Sequence, residues 1–412
     1  RPFEAMPALK RSLGVWDGLA MVVGIMVGSG IFRTPGTIAG LLGRPGLTFV
    51  AWIAGALLAL LGSLCFAELA TRLPQAGGKY VYAREAFGRR TAAFVGWVEA
   101  LGIYAAAIAA IGVVSGEYLG RLIGLDAATA PLLGAGWVIA LTGVNLLGVS
   151  SGRLVQNVVT AAKVVALLGI VVIAFASGTG AGWHTTLPTA PRGVAMWTAL
   201  AVAFQSVLWT YYGYPDAAKI AEEVTEPSRT LPRVFLGGIA TAAALYLLLN
   251  AAFLSVLPID KIAASNLVAA DVATAIFGAR GGWLIAAVAL VVMLASLNGN
   301  IFVTPRVLFG LARDGLAPAS LAKVNRGGTP WAAMLVVGAV ATVLAATGSF
   351  DRLLSFAIEQ ILVIDSIAVG ALFVLRARQP EAAFRMPFYP LLPALFIAVY
   401  AALLVGALKA GW

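Results

Sequence analysis

Gly24-Ile25-Met26-Val27-Gly28-Ser29-Gly30-Ile31-Phe32 sits in the middle of the first hydrophobic run of the chain, residues 14–42. A run of that length crosses a bilayer, which takes roughly 20 apolar residues. Its centre is an odd place for Gly24, Gly28 and Gly30, since each Gly in a helix interior costs about 1 kcal/mol relative to Ala. One reading makes two half-helices, about 15–27 and 31–42, joined by an unwound Gly28-Ser29-Gly30. Unwinding exposes backbone groups that lipid cannot satisfy, so it is tolerated only where it lines a protein cavity or binds something. The second half-helix then aims free N–H groups and its positive dipole end at the break, a seat for a carboxylate. The other reading is a close-packing face, because Gly24 and Gly28 also fit a small-xxx-small spacing.

The rest of the chain is as apolar as this run. Hydrophobic residues make up 61% of the 412 and charged residues 11%, against roughly 25% charged in soluble domains. The segments are too long and too unalternating for barrel strands, so the class is an all-α polytopic membrane protein. The single cysteine, Cys65, lies inside a membrane segment and allows no intrachain disulfide. His184 is the only histidine and falls in a polar loop, which argues against a histidine metal centre or catalytic triad. The net charge of +10 does not point to nucleic acid, because the basic residues are spread through short loops.

Hydropathy and helix breakers predict eleven spans, at about 15–42, 47–71, 91–120, 132–149, 153–177, 193–222, 233–257, 281–311, 330–348, 353–375 and 391–410. With a cytoplasmic N-terminus, nineteen Lys and Arg fall on the cytoplasmic side and eight on the other, Lys163 lying within a helix. That excess sets the orientation by the positive-inside rule. The outer loop 258–280 is expected to hold a short interfacial helix, and no segment reads as a separate soluble domain.

The sixth span repeats the anomaly of the first. It runs Phe204-Gln205-Ser206-Val207-Leu208-Trp209-Thr210-Tyr211-Tyr212-Gly213-Tyr214-Pro215-Asp216, and Pro215, lacking an N–H and clashing with the preceding turn, is expected to break the helix. Two interrupted helices, one opening each five-helix set, point to a binding site between inverted repeats. This correspondence favours a substrate site over packing glycines.

At these residues the chain resembles the amino acid–polyamine–organocation superfamily, and within it bacterial relatives of the L-type amino-acid transporters. Four stretches carry the resemblance. They are Gly28-Ser29-Gly30-Ile31-Phe32, then Ala67-Glu68-Leu69 with Pro74-Gln75-Ala76-Gly77-Gly78-Lys79-Tyr80, then residues 221–232 from Ala221-Glu222-Glu223 to Leu231-Pro232, and last Ser296-Leu297-Asn298-Gly299-Asn300 with Arg306 and Ala312-Arg313-Asp314-Gly315-Leu316. The resemblance implies a LeuT-type fold of two inverted five-helix repeats with helices 1 and 6 broken. Here the repeats are 12–177 and 193–378, followed by an additional C-terminal transmembrane helix in 379–412, all in one transport domain. The family usually has twelve helices, so the last is expected to be absent or trimmed. Members often carry Asp or another residue where Tyr212 stands, and Pro215 is unusual.

A zwitterionic amino acid needs an anion seat and a cation seat a few ångströms apart. The N–H groups of Ser29, Gly30 and Ile31, with the Ser29 hydroxyl, suit the first. Carbonyls freed at the breaks, those of Ile25, Met26, Trp209 and Tyr212, suit the second. Gly28 and Gly213 complete the expected substrate-binding set, and Trp209 and Tyr212 are read as a gate or pocket wall. A lysine at helix centre costs about 2.5–3.5 kcal/mol on insertion scales, so Lys163 is expected to face the interior. Gln156, Thr160 and Lys163 form one polar stripe down span five. In sodium-coupled relatives a cation binds between spans one and eight near this level, whereas members similar to this chain carry a lysine in span five. The resemblance therefore implies sodium independence, with Lys163 as the coupling residue. Asp365, Glu99 and Asn298 are further possible site residues, as satisfied structural polars or as pocket lining. Glu222 and Glu223 are read as solvated charges or as an inner gate with Arg72 or another loop arginine.

The function that follows is secondary active transport of neutral L-amino acids by alternating access in a cell membrane, sodium-independent and either exchanging or proton-coupled. A cationic amino-acid or polyamine substrate is the alternative, with Asp216, Glu99 or Asp365 as the pocket acid it requires. Outside transport, an amino-acid-binding receptor or channel is the rival; an enzyme is not expected, as no nucleophile–base pair or metal-ligand set lies at depth. The reading requires no cofactor and no metal. The partners it names are a small amino acid and the lipid bilayer. The sequence does not separate exchange from proton symport, nor does it specify a partner subunit.

Overall fold

The computed structural model describes residues 11, 13–75, 77–147 and 152–410, with backbone alone at 152–156, 409 and 410. Ala76 and the side chain of Gln156 lie outside the described residues. Nine helices among them are long and apolar enough to cross a membrane, and a bent pair makes a tenth. Trp331–Thr347 has 17 residues and covers about 25 Å at 1.5 Å per residue, short of a core of about 30 Å. Ten of the eleven predicted runs therefore meet the spanning length, and this one does not reach it unaided.

The bent pair is α1 (Val15–Met26) and α2 (Ser29–Leu42), which meet at 43°. The break falls at Val27 (φ −76°, ψ 82°) and Gly28 (φ −135°, ψ −142°). Ser29 and Gly30, expected in the unwound link, are instead the first residues of α2. The N–H groups of a first turn have no intrahelical acceptor, so those of Ser29 and Gly30 stay free of the helix ladder although the link is shorter than predicted. α2 packs on α9 (Val194–Tyr211). There a Cβ on Gly30 would lie 2.8 Å from Thr210 Cα, while Thr34 and Thr210 join their hydroxyls at 2.8 Å. Gly30 thus belongs to a close-packed face beside the break, not to the break itself.

α9 ends in a second break. Tyr212 is extended, Gly213 has φ 129°, and a 3-10 helix continues over Tyr214–Glu223. Pro215 does not break the helix as expected. It opens the 3-10 segment, where its missing N–H and fixed φ suit a first turn, and Gly213 supplies the turn through a φ that few other residues adopt.

Around the two breaks stand α3 (Pro45–Arg72), α8 (Gly152–Ser177), α10 (Pro227–Val256), α12 (Val268–Val303) and α15 (Phe350–Arg378). The third span, 89–123, runs as α5 (Arg89–Trp97), a π-helical segment Val98–Tyr104, and α6 (Ala105–Ile123). π turns inside helices tend to occur at functional sites. The outer loop expected to hold a short helix carries α11 (Ile259–Ala263) and the first turns of α12, which kinks at Gly278.

Two polar devices fix the ends. Glu68, wholly buried in α3, accepts from Arg376 at 2.8 and 2.5 Å, from Arg72 at 2.9 Å and from the Met386 N–H at 2.8 Å. Arg72 is thereby committed to Glu68, not to Glu222 or Glu223 as the gate reading had it. At the other device, Leu13 ahead of α1 bridges Val224 after the 3-10 segment, with N···O distances of 3.0 and 2.9 Å to Glu223 and Thr225.

Candidate functional site

Each break leaves carbonyls without helical partners, and the structure shows where they go. The Lys163 ammonium on α8 donates to Gly24 O at 3.1 Å and to Ser296 Oγ on α12 at 2.7 Å. Ser296 in turn donates to Val27 O at 2.9 Å, with Gly24 O at 3.1 Å. Tyr246 Oη on α10 caps Met26 O at 2.7 Å. Lys163 is 3% exposed, and Thr160, one turn before it, donates to Ala20 O at 2.8 Å. Thr160 and Lys163 of the stripe read on span five therefore face α1, and the ammonium sits beside the break. Met26 O, expected to receive a ligand amine, is already engaged by Tyr246.

A cavity opens between the two breaks, about 470 Å³ with its mouth included. Ile25, Met26, Gly28, Ser29 and Gly30 form one wall and Trp209, Tyr212, Gly213 and Asp216 the facing one. Ile103, Tyr104, Ala107 and Ile111 close it from the third span, with Asn300 and Ile361 beyond. Ile31, predicted in the anion seat, is buried in the first turn of α2 but does not line the cavity. Asn298 is also elsewhere: its side-chain oxygen accepts from Asn145 at 2.7 Å. Asn300 lines the site instead. The two positions differ by about 200° around a helix, so a motif quoted whole does not tell which asparagine faces inward.

On the side toward α2, Trp209 packs edge-on against Phe350 at 6.2 Å. Arg33 lies over the Phe350 ring at 5.5 Å and pairs with Glu117 at 3.3 Å and Asp351 at 3.6 Å. On the side toward α4 (Lys79–Phe87), the wall is backed by buried charge. Lys79 Nζ pairs with Asp365 at 2.6 Å and donates to Tyr212 Oη, which lies 3.3 Å from the same carboxylate. Lys219 Nζ pairs with Asp216 at 2.8 Å and lies 3.8 Å from Glu99. Tyr104 Oη donates to Asp216, and Lys219 covers the Tyr104 ring at 3.3 Å. Asp365 and Glu99 are thus brought together behind the wall, neither of them lining the cavity. Lys79, which pairs with Asp365, comes from a loop helix read as a cytoplasmic connection, and Lys219, 3.8 Å from Glu99, from the cytoplasmic end of the predicted sixth span.

The model of the amino acid permease family matches residues 13–409. The chain belongs to that family. The permease is similar to the serine/threonine exchanger SteT of Bacillus subtilis (strain 168), 30% identical over 95% of this chain and 89% of the relative. It is also similar to the human b(0,+)-type amino acid transporter 1, 29% identical over 85% of this chain and 72% of that one. The mouse Asc-type amino acid transporter 1 is 27% identical over 97% and 76% respectively. Its superfamily has the LeuT fold, and the permease has it too: α1–α2 and α9 with its 3-10 continuation are broken helices 1 and 6.

Proposed function

We propose that this permease carries neutral L-amino acids across a cell membrane by alternating access, without sodium. The observation that carries the reading is the Lys163 ammonium held between Gly24 O and Ser296 at the break of helix 1. A lysine amine there occupies the position a coupling sodium ion would need. The substrate carboxylate meets the first-turn amides of Ser29 and Gly30, where the dipole of α2 favours an anion. Its side chain extends toward Trp209, Tyr212 and the apolar residues of the third span. The acid in the cavity wall, Asp216, is already neutralised by Lys219 at 2.8 Å and by Tyr104, which favours a neutral side chain over a cationic one. The repeats are 12–177 and 193–378, and the basic loops put the N-terminus in the cytoplasm.

The test is uptake of labelled L-serine, L-leucine and L-arginine into proteoliposomes. Serine or leucine flux is expected to stay unchanged when choline replaces sodium, with arginine poorly carried. Strict sodium dependence, or preference for arginine, overturns the assignment.

A further inference from the structure

The cluster behind the cavity wall does not balance its charge. Among the described residues Glu99, Asp216 and Asp365 face only Lys79 and Lys219, so three carboxylates share two ammonium groups. Two of the acids are well served. Asp365 has Lys79 at 2.6 Å and Tyr212 at 3.3 Å, while Asp216 has Lys219 at 2.8 Å and the Tyr104 hydroxyl. Glu99 is 0% exposed and neither carboxylate oxygen receives a hydrogen bond. Its nearest ammonium, Lys219, stands at 3.8 Å, beyond hydrogen-bond reach. The charged and titratable groups around it are Lys219 and Asp216 from the 3-10 segment, Lys79 and Tyr82 from α4, Asp365 from α15, Tyr212 from the end of α9, and Tyr104 from its own π segment. A buried charge without a partner or hydrogen bonds is among the costliest arrangements a protein can hold.

We propose that Glu99 carries one exchangeable proton, and that this proton is the ion coupled to amino-acid movement. The inference rests on the transport reading above and adds the driving ion to it. In loading, a hydronium ion gives its proton to a Glu99 carboxylate oxygen and leaves as water; unloading reverses the step on the other side of the membrane. Lys219 links this event to the substrate. With Glu99 neutral, Lys219 belongs wholly to Asp216 in the cavity wall. With Glu99 ionised, the ammonium is drawn between the two acids, and the wall formed by Asp216 and Tyr104 loosens.

Glu99→Gln keeps the shape of the protonated carboxyl and cannot release the proton. Three measurements on proteoliposomes and purified protein test the idea, with labelled L-serine and L-leucine as probes. Under an inward gradient of one pH unit, wild-type permease is expected to accumulate substrate by up to about tenfold, the limit for one proton per amino acid. Glu99→Gln is expected to lose that accumulation and settle at equal concentrations, while counterflow at equal pH stays within about twofold, the flux an energetically neutral isostere allows. Infrared spectra of the solubilised wild type are expected to show a protonated-carboxyl stretch that Glu99→Gln lacks. The proposal is overturned if the variant still accumulates substrate under the gradient, if counterflow is lost with accumulation, or if the band is missing in wild type. Failure of wild-type counterflow with the band present sinks the transport reading and leaves the proton site standing.

Discussion

Lys163 shows how much one side chain fixes at the residue scale. Its three donors serve a carbonyl that the broken helix cannot satisfy and a hydroxyl that serves another. Lys163→Ala leaves Gly24 O short of a donor, at a cost of about 1–3 kcal/mol for an unsatisfied buried group. The expected result is a folded variant with a lowered melting temperature and severe loss of uptake; wild-type flux would remove Lys163 from the coupling machinery. Tyr212 divides its roles, ring toward the cavity and hydroxyl to Lys79 and Asp365. Tyr212→Ala is expected to change the ranking of amino acids by size more than the total flux, and competition among L-alanine, L-leucine and L-phenylalanine reads it. An unchanged ranking would place the ring outside the substrate's reach. Lys163 was legible in the sequence because a membrane helix seldom holds a charge at its centre without need, and Trp209, Tyr212 and the glycines because they cluster where two spans are interrupted. The partners of Glu99 and Asp365 were not, since Lys79 and Lys219 sit in segments whose charges are ordinarily solvated. Nor could residue type alone separate Asn298 from Asn300.

Among the elements, the first break was placed by its glycines to within two residues, while the second falls at Tyr212-Gly213, ahead of the Pro215 expected to make it. Ser29 and Gly30 belong to α2, whose contact with α9 is so close that a Cβ on Gly30 has no room beside the Thr210 backbone. Gly30→Ala is therefore expected to push α2 from α9 and to lower both stability and uptake, where Gly28→Ala, whose Cβ meets Ser296 at 3.5 Å and Ile25 O at 3.6 Å, ordinary contact distances, stays folded. Thermal unfolding of the two purified variants makes the comparison, and equal melting temperatures would show that the packing is not tight. Helix ends carry a second lesson in Glu68, one turn from the C-terminal end of α3. It holds α3, α15 and the segment before α16 (Leu391–Ala410) together through Arg376. Glu68→Ala strands that guanidinium and is expected to destabilise by about 3–5 kcal/mol, the range for breaking a buried pair. A loss within experimental error in thermal unfolding would show Arg376 finding other acceptors. The π turn in the third span had no warning in the sequence, because Val98–Tyr104 has the composition of any apolar helix.

For the molecule as a whole, ligand binding to the folded state alone raises stability by about 2.7 kcal/mol at a hundredfold excess over Kd. Neutral amino acids are expected to raise the melting temperature of the permease with or without sodium, and a rise that appears only in sodium would contradict the built-in cation. The bridge between Leu13 and Val224 has a mechanical meaning. It staples the entry to helix 1 onto the exit of helix 6, so the two broken helices are tethered at one end and must travel as a single lever. Paired backbones lie about 4.8 Å apart, within the 4.4–6.8 Å that a disulfide spans. The only native thiol, Cys65, is buried, which leaves engineered cysteines at 13 and 224 free to pair with each other. A transporter locked there by oxidation should keep cycling at its normal rate; if the lock stops it, the staple must open once in every turnover.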